Sequence, residues 1–357
     1  MKENRAERVV GLIRTMDLDA CLLKGMDNIF YLTGFRGSEG TLLVTRGDII
    51  LLTDFRYITY AREVTEGIKV VELREKKNTL GDLCEQYAIR RIGFDSLHTP
   101  FHLYKKRQEM LTNVEFVPMD SEIEEIRKQK EPAEIDMIVR AIDVATEAFT
   151  GVFEKIRPGR TEKEIANELD YAMRRLGADC PSFTTIVASG ARAALPHAEP
   201  TDKPLREGET VIIDFGAQVD GYCSDETCTL SIGEVNGRLQ DIFTIVNEAR
   251  ELGLKTIRTG TPVKDVDMVV RGFIEEAGYG DFFRHGTGHG VGIAVHEAPS
   301  INSMGEGILE EGMVITVEPG IYIPNLGGVR LEDMVLVDSD SARVLTRIRK
   351  DMLNVNS

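Results

Sequence analysis

The sequence predicts an α+β protein of two domains: a small α/β domain, then a larger one built from a duplicated unit of helices and a β-hairpin. Three observations carry this expectation. The chain has 357 residues, about two ordinary domains. Short apolar runs alternate with helical patterns through the first third, and beyond it two blocks of sequence recur at nearly constant spacing. With 42% hydrophobic and 29% charged residues the chain can bury a sizeable core, which excludes wholesale disorder.

In the first domain, read as residues 1–122, the runs Asp48–Thr53, Ile68–Leu73 and Arg91–Phe94 are strand-like, and the helical patterns between them indicate α/β. Between Val117 and Pro132 charged residues such as Glu122, Glu124, Arg127 and Lys128 displace core candidates, so the boundary is placed at Met119–Ile123 and the second domain at 123–357. There Ile135, Ile138, Ile142, Ala145, Phe149 and Val152 mark a long amphipathic helix that stops before Pro158-Gly159. Thr161 and Glu164 form a capping box for the next helix, whose apolar face is Ile165, Leu169, Met173 and Leu176 and whose end is Gly177. Ile156-Arg157-Pro158-Gly159 then reappears as Ile257-Arg258-Thr259-Gly260, and Gly177 as Gly278. Leu205, Glu207, Gly208, Asp214 and Gly216 reappear as Leu309, Glu311, Gly312, Glu318 and Gly320. Two copies in the same order predict a pseudo-twofold arrangement with a cleft between the hairpins.

Charge narrows the function. The net charge is −16, and residues 1–120 carry equal numbers of basic and acidic groups, so the whole acidic excess lies beyond them. Such a balance repels phosphate backbones, which argues against nucleic acid. No stretch approaches the roughly 20 apolar residues of a membrane span, and a cytoplasmic location is expected. Cys21, Cys84, Cys180, Cys223 and Cys228 form no CxxC pair and suit reduced, structural thiols.

The chemistry lies in carboxylates that interrupt apolar strands. Asp214 follows Val211-Ile212-Ile213, and Asp225 lies beyond the hairpin signal Asp220-Gly221. With that turn, residue 225 pairs with 216, so Asp214 and Asp225 share a face as diagonal neighbours about 7–8 Å apart. Glu318 follows Val314–Val317, and Glu332 lies an even number of residues further on, past a five-residue loop Pro324–Gly328, again on one face. Four carboxylates in one cleft repel and cost several kcal/mol each to desolvate unless cations neutralise them, which two divalent metals would do. His285, His289 and His296 cluster in one segment, and His197 follows Pro196. One imidazole among carboxylates suits Mn²⁺, Co²⁺, Fe²⁺ or Zn²⁺. Singly, each residue fits a bland role as turn, solvated strand face or structural histidine. Together they do not.

The set Asp214, Asp225, His289, Glu318 and Glu332 resembles the ligand signature of the creatinase/prolidase/methionine aminopeptidase superfamily of "pita-bread" metallopeptidases. Tyr31–Phe35, Thr53–Tyr57 and Ile126–Lys130 resemble the creatinase-like N-terminal domain and linker of its Xaa-Pro peptidases. The resemblance implies two divalent ions, Mn²⁺ or Co²⁺ first, with Asp214 chelating one, Asp225 and Glu332 bridging, and His289 and Glu318 completing the other. Glu318 would also shuttle a proton. His296 would bind the substrate carbonyl, His197 and His285 would line the proline side, and Tyr322 and Arg330 would orient ligands. A homodimer and peptides with proline at the second position are further expectations. One departure is Cys228, where the family usually has Arg. Strand alternation points residue 228 away from Asp225.

A dipeptidase must also recognise its substrate's free carboxylate, normally with Arg or Lys. Gly286–Val329 contains neither, and Ser300 stands where several prolidases have Arg. This favours an aminopeptidase, with an Xaa-Pro dipeptidase second because Arg36 could supply the charge, relatives that hydrolyse creatine a distant third, and a catalytically inactive binding module as the reading of a different class.

Overall fold

The computed structural model describes residues 2–73 and 79–355, which form two compact units, 1–127 and 128–357. The division falls beyond residue 122 because the charged stretch folds as a helix, Glu122–Lys128, with Ile123 and Arg127 buried and Arg127 donating to Asn28 Oδ1 at 2.8 Å.

The first unit is a six-stranded sheet in the order Lys69–Glu72, Ile49–Thr53, Thr41–Thr45, Ala20–Leu23, Arg91–Asp95, Glu115–Met119. The three apolar runs become strands. Ala20–Leu23 and Thr41–Thr45 are also strands and are buried at every position, so they show no alternation by which to recognise them.

In the second unit the long helix is Pro132–Phe153, burying Ile138, Ile142, Ala145, Phe149 and Val152. Ile135 is only half-buried. The residue before it, Glu134, is buried instead and accepts from Tyr222 OH at 2.9 Å. The capping box forms as expected: Glu164 N donates to Thr161 Oγ1 and Thr161 N to Glu164 Oε2. The repeat is visible in hydrogen bonds. Gly159, at φ 87°, donates to Leu205 O, and Gly260, at φ 88°, donates to Leu309 O, so the same glycine-to-leucine tie anchors each helix–hairpin unit.

In the first hairpin, Asp220 and Gly221 both have positive φ (50° and 82°), the signature of a type I′ turn. One register runs unbroken from Val219↔Tyr222 to Ser231↔Thr210. In the second hairpin the register Ile323↔Gly327 continues to Val317↔Asp333. Its loop is therefore the three residues Pro324-Asn325-Leu326 rather than five, with Asn325 at φ 65°. Three and five are both odd, so Glu318 and Glu332 keep a common face and lie opposite one another. No helix among the described residues is long and apolar enough to cross a membrane.

Candidate metal centre

Asp214 is the penultimate residue of the strand Thr210–Phe215, directly opposite Thr227, and Asp225 immediately precedes Glu226–Ile232, so alternation brings both carboxylates to one face. Glu318 and Glu332 flank the second hairpin in the same way. His289 comes from the short strand Gly288–Gly290, held against the second hairpin by pairing of Gly290 with Ile315 and by His289 N donating to Thr316 Oγ1. Gly288 allows that approach, because a Cβ there would lie 2.0 Å from Thr316 O.

Ligand atoms of Asp225, His289 and Glu332 all lie within 4.8 Å of one another. His289 Nε2 stands 3.6 Å from Asp225 Oδ2 and 3.4 Å from Glu318 Oε1. Its Nδ1 lies 3.1 Å from Gly290 O, which assigns the proton to Nδ1 and leaves the Nε2 lone pair facing the carboxylates. Burial pushes His289 down to about 4, so the ring is neutral at pH 7. Asp214 Oδ1 and Glu332 Oε1 are buried without a hydrogen-bond partner. Burial, then the neighbouring carboxylates, pushes Asp225 and Glu332 far above the usual carboxylate range, and burial pushes Glu318 up to about 8. A neutral nitrogen lone pair and orphaned oxygens lining one cleft fit divalent cations that ionise these carboxyls.

A polar chain backs the centre. Arg330 pairs with Asp214, and its Nη1 donates to Tyr322 OH and Pro196 O, each at 3.0 Å. Tyr322 OH in turn donates to His285 Nε2 at 2.9 Å, because His285 Nδ1 already faces Gly286 O at 2.8 Å. Burial lowers His285 to about 4, keeping it neutral. His296, its ring 4.2 Å centroid to centroid from that of His289, and His197 are both exposed. All of these except Tyr322 line one cavity of about 460 Å³, with Phe183, Ile186 and Pro196 as apolar wall. Thus the structure gathers the five expected metal ligands, His197, His285, His296, Tyr322 and Arg330 at or beside one cleft.

The sequence reading missed Thr227. Its Oγ1 donates to Glu332 Oε2 at 2.6 Å and accepts from Arg330 Nε at 3.2 Å, joining the two hairpins. The signal was available, since residue 227 shares the parity of Asp225. Cys228 has the opposite parity and lies in the core behind the strand, where burial pushes its thiol up to about 12. All five cysteines are free.

Residues 136–339 match the model of metallopeptidase family M24, and residues 5–129 that of the creatinase/prolidase N-terminal domain. An Xaa-Pro dipeptidase of Pyrococcus horikoshii is 35% identical over 97% of this chain and 99% of its own. Among solved structures, an Xaa-Pro dipeptidase from Bacillus anthracis has TM-score 0.95 at 36% identity, covering 99% of this chain and 100% of that one. An X-Pro aminopeptidase from Thermotoga maritima MSB8 has TM-score 0.92 at 36% identity, covering 98% and 99%.

Proposed function

This chain belongs to metallopeptidase family M24 and carries a creatinase/prolidase N-terminal domain, and on that premise we propose that it is an Xaa-Pro dipeptidase acting through two divalent cations. The observation that carries the reading is the buried convergence of Asp225, His289 and Glu332 on a cavity that Asp214 and Glu318 also line. Asp214, Asp225, His289, Glu318 and Glu332 would hold the ions, with Asp225 and Glu332 shared. The oxygen-rich set suits Mn²⁺ or Co²⁺, with Zn²⁺ and Fe²⁺ compatible. When bound, such ions lower the pKa of a water and stabilise developing negative charge.

The chain's own residues supply the remainder. Glu318 takes the proton of the attacking water and delivers it to the leaving nitrogen. That nitrogen belongs to a tertiary amide without N–H, so the delivered proton is what lets it leave as a secondary amine. His296, which partial desolvation holds below the ordinary imidazole range, donates to the carbonyl oxygen as charge develops there. His285, fixed by Tyr322 and Gly286, borders the proline ring together with His197 and the apolar wall.

Support for a dipeptidase comes from relatives of full length that bear that name, and it displaces the aminopeptidase that the sequence reading placed first. The aminopeptidase remains the second reading for one reason. Arg330 is the one Lys or Arg among the described residues lining the cavity, and Asp214 engages it, which leaves no free cation there for a substrate carboxylate.

The test is hydrolysis of an Xaa-Pro dipeptide beside an Xaa-Pro-Xaa tripeptide by Mn²⁺- or Co²⁺-loaded protein, with an EDTA-treated control. Cleavage of the dipeptide alone is expected. Cleavage of the tripeptide establishes the aminopeptidase, and silence on both returns the inactive binding module. Light scattering checks the homodimer that the family resemblance implies.

A further inference from the structure

The acidic doublets Asp225-Glu226 and Glu332-Asp333 each stand at the start of a strand, and alternation sends the two members of each to opposite faces. The first members converge on the metal centre. The second members, Glu226 and Asp333, turn to the back of the sheet, where both are buried and both meet one cation. Lys350 Nζ lies 2.5 Å from Glu226 Oε1 and 3.8 Å from Asp333 Oδ1, and is itself buried. Asp333 is also held by Arg250 and by Thr346 Oγ1 at 2.6 Å, and Glu226 accepts from Ile348 N at 3.2 Å. Lys350 is delivered by the C-terminal segment, whose strand Leu353–Val355 pairs in parallel with Glu226–Ile232.

We propose that Lys350 is a positioning residue for the metal centre: by clasping Glu226 and Asp333 from behind, it sets the separation of Asp225 and Glu332 in front. The inference rests on reading Asp225 and Glu332 as metal ligands. Each front carboxylate is joined to its back partner by one planar peptide unit, so movement of one strand start carries both. A buried ion pair resists such movement, because separating it leaves a charge unpaired in the interior. The back face therefore holds the two ligand-bearing strand starts at one distance whether or not cations are bound, and the C-terminal segment completes the centre without touching it.

Calorimetric titration of metal-stripped, full-length protein with Mn²⁺ tests this, independently of turnover. Lys350→Met is expected to bind Mn²⁺ about 10–100-fold more weakly, the range for groups that orient ligands from outside. The paired variant Glu226→Gln/Lys350→Met leaves no unpaired charge and carries the test where Lys350→Met fails to fold. It is expected to fold and still bind weakly, with an altered Co²⁺ absorption spectrum. Wild-type Mn²⁺ affinity in either folded variant overturns the proposal, since a residue needed for stability alone would leave affinity intact once the fold is kept. Asp225→Asn, titrated alongside, separates the two readings. Weak binding there with normal binding in the Lys350 variants removes the clasp alone. Normal binding in Asp225→Asn removes the ligand assignment and the clasp with it.

Discussion

Stripping the cations should leave a protein whose stability falls as pH rises above 6.5. Burial raises Glu318 from 4.5 to about 8, so the folded state keeps a proton that the unfolded chain releases. An acid with a raised folded-state pKa stabilises the fold at low pH and loses that contribution as pH climbs from its unfolded value to its folded one. At about 1.36 kcal/mol per pH unit, Glu318 alone removes about 2 kcal/mol between pH 6.5 and 8. Asp225 and Glu332 are raised in the same sense and steepen the fall. His285 and His289 act oppositely, but only between about 4 and 6.5, because their folded-state values lie below their ordinary one. Above pH 6.5 they contribute no slope, and because the elevated His98 also loses stability there, the part of the fall that Mn²⁺ abolishes is what isolates the carboxyls.

Scanning calorimetry of EDTA-stripped protein at pH 6.5 and 8 reads the effect as a drop in Tm of about 4–8 °C for a unit of 150–250 residues. With Mn²⁺ present the carboxyls meet a cation in place of a proton. The carboxyl part of the fall should vanish, and a hundredfold excess over Kd adds about 2.7 kcal/mol. Metal-free stability that is flat or rises between pH 6.5 and 8 would refute the reasoning, as would a slope unchanged by Mn²⁺.

Asp225→Asn and Glu332→Gln should abolish turnover while circular dichroism stays near native, and unchanged activity with unchanged metal content would contradict a dinuclear centre. Thr227→Val removes the hydroxyl between Glu332 and Arg330, and should weaken Mn²⁺ binding about 10–100-fold by titration calorimetry. Gly288→Ala drives a methyl group into the Thr316 carbonyl and should destabilise by about 3 kcal/mol in urea unfolding, with loss of metal binding through displaced His289. His98, raised chiefly by its hydrogen bond to Asp95, should stabilise the first unit below pH 6.5 and lose that contribution as pH rises past its elevated value. His98→Asn should therefore lower Tm more at pH 6 than at pH 9.

The sequence alone determined which residues share a face. Parity along a strand is local and has period two, and Asp220-Gly221 locks the first register because it forms the turn at positive φ on both residues. Even the misread loop of the second hairpin left Glu318 and Glu332 together, since three and five residues have the same parity. The capping box and the two repeated blocks were legible for the same reason: each needs only residues a few positions apart or a recurrence of such a set.

What the tertiary structure decided is which faces meet. His289 Nε2 reaches Asp225 and Glu318, Thr227 joins Glu332, and Lys350 ties Glu226 to Asp333, across separations of up to 124 residues. No local pattern encodes these contacts. They follow from closing long stretches of chain so that buried carboxylates, which cannot stand unpaired in the interior, find cations or donors from elsewhere in the fold.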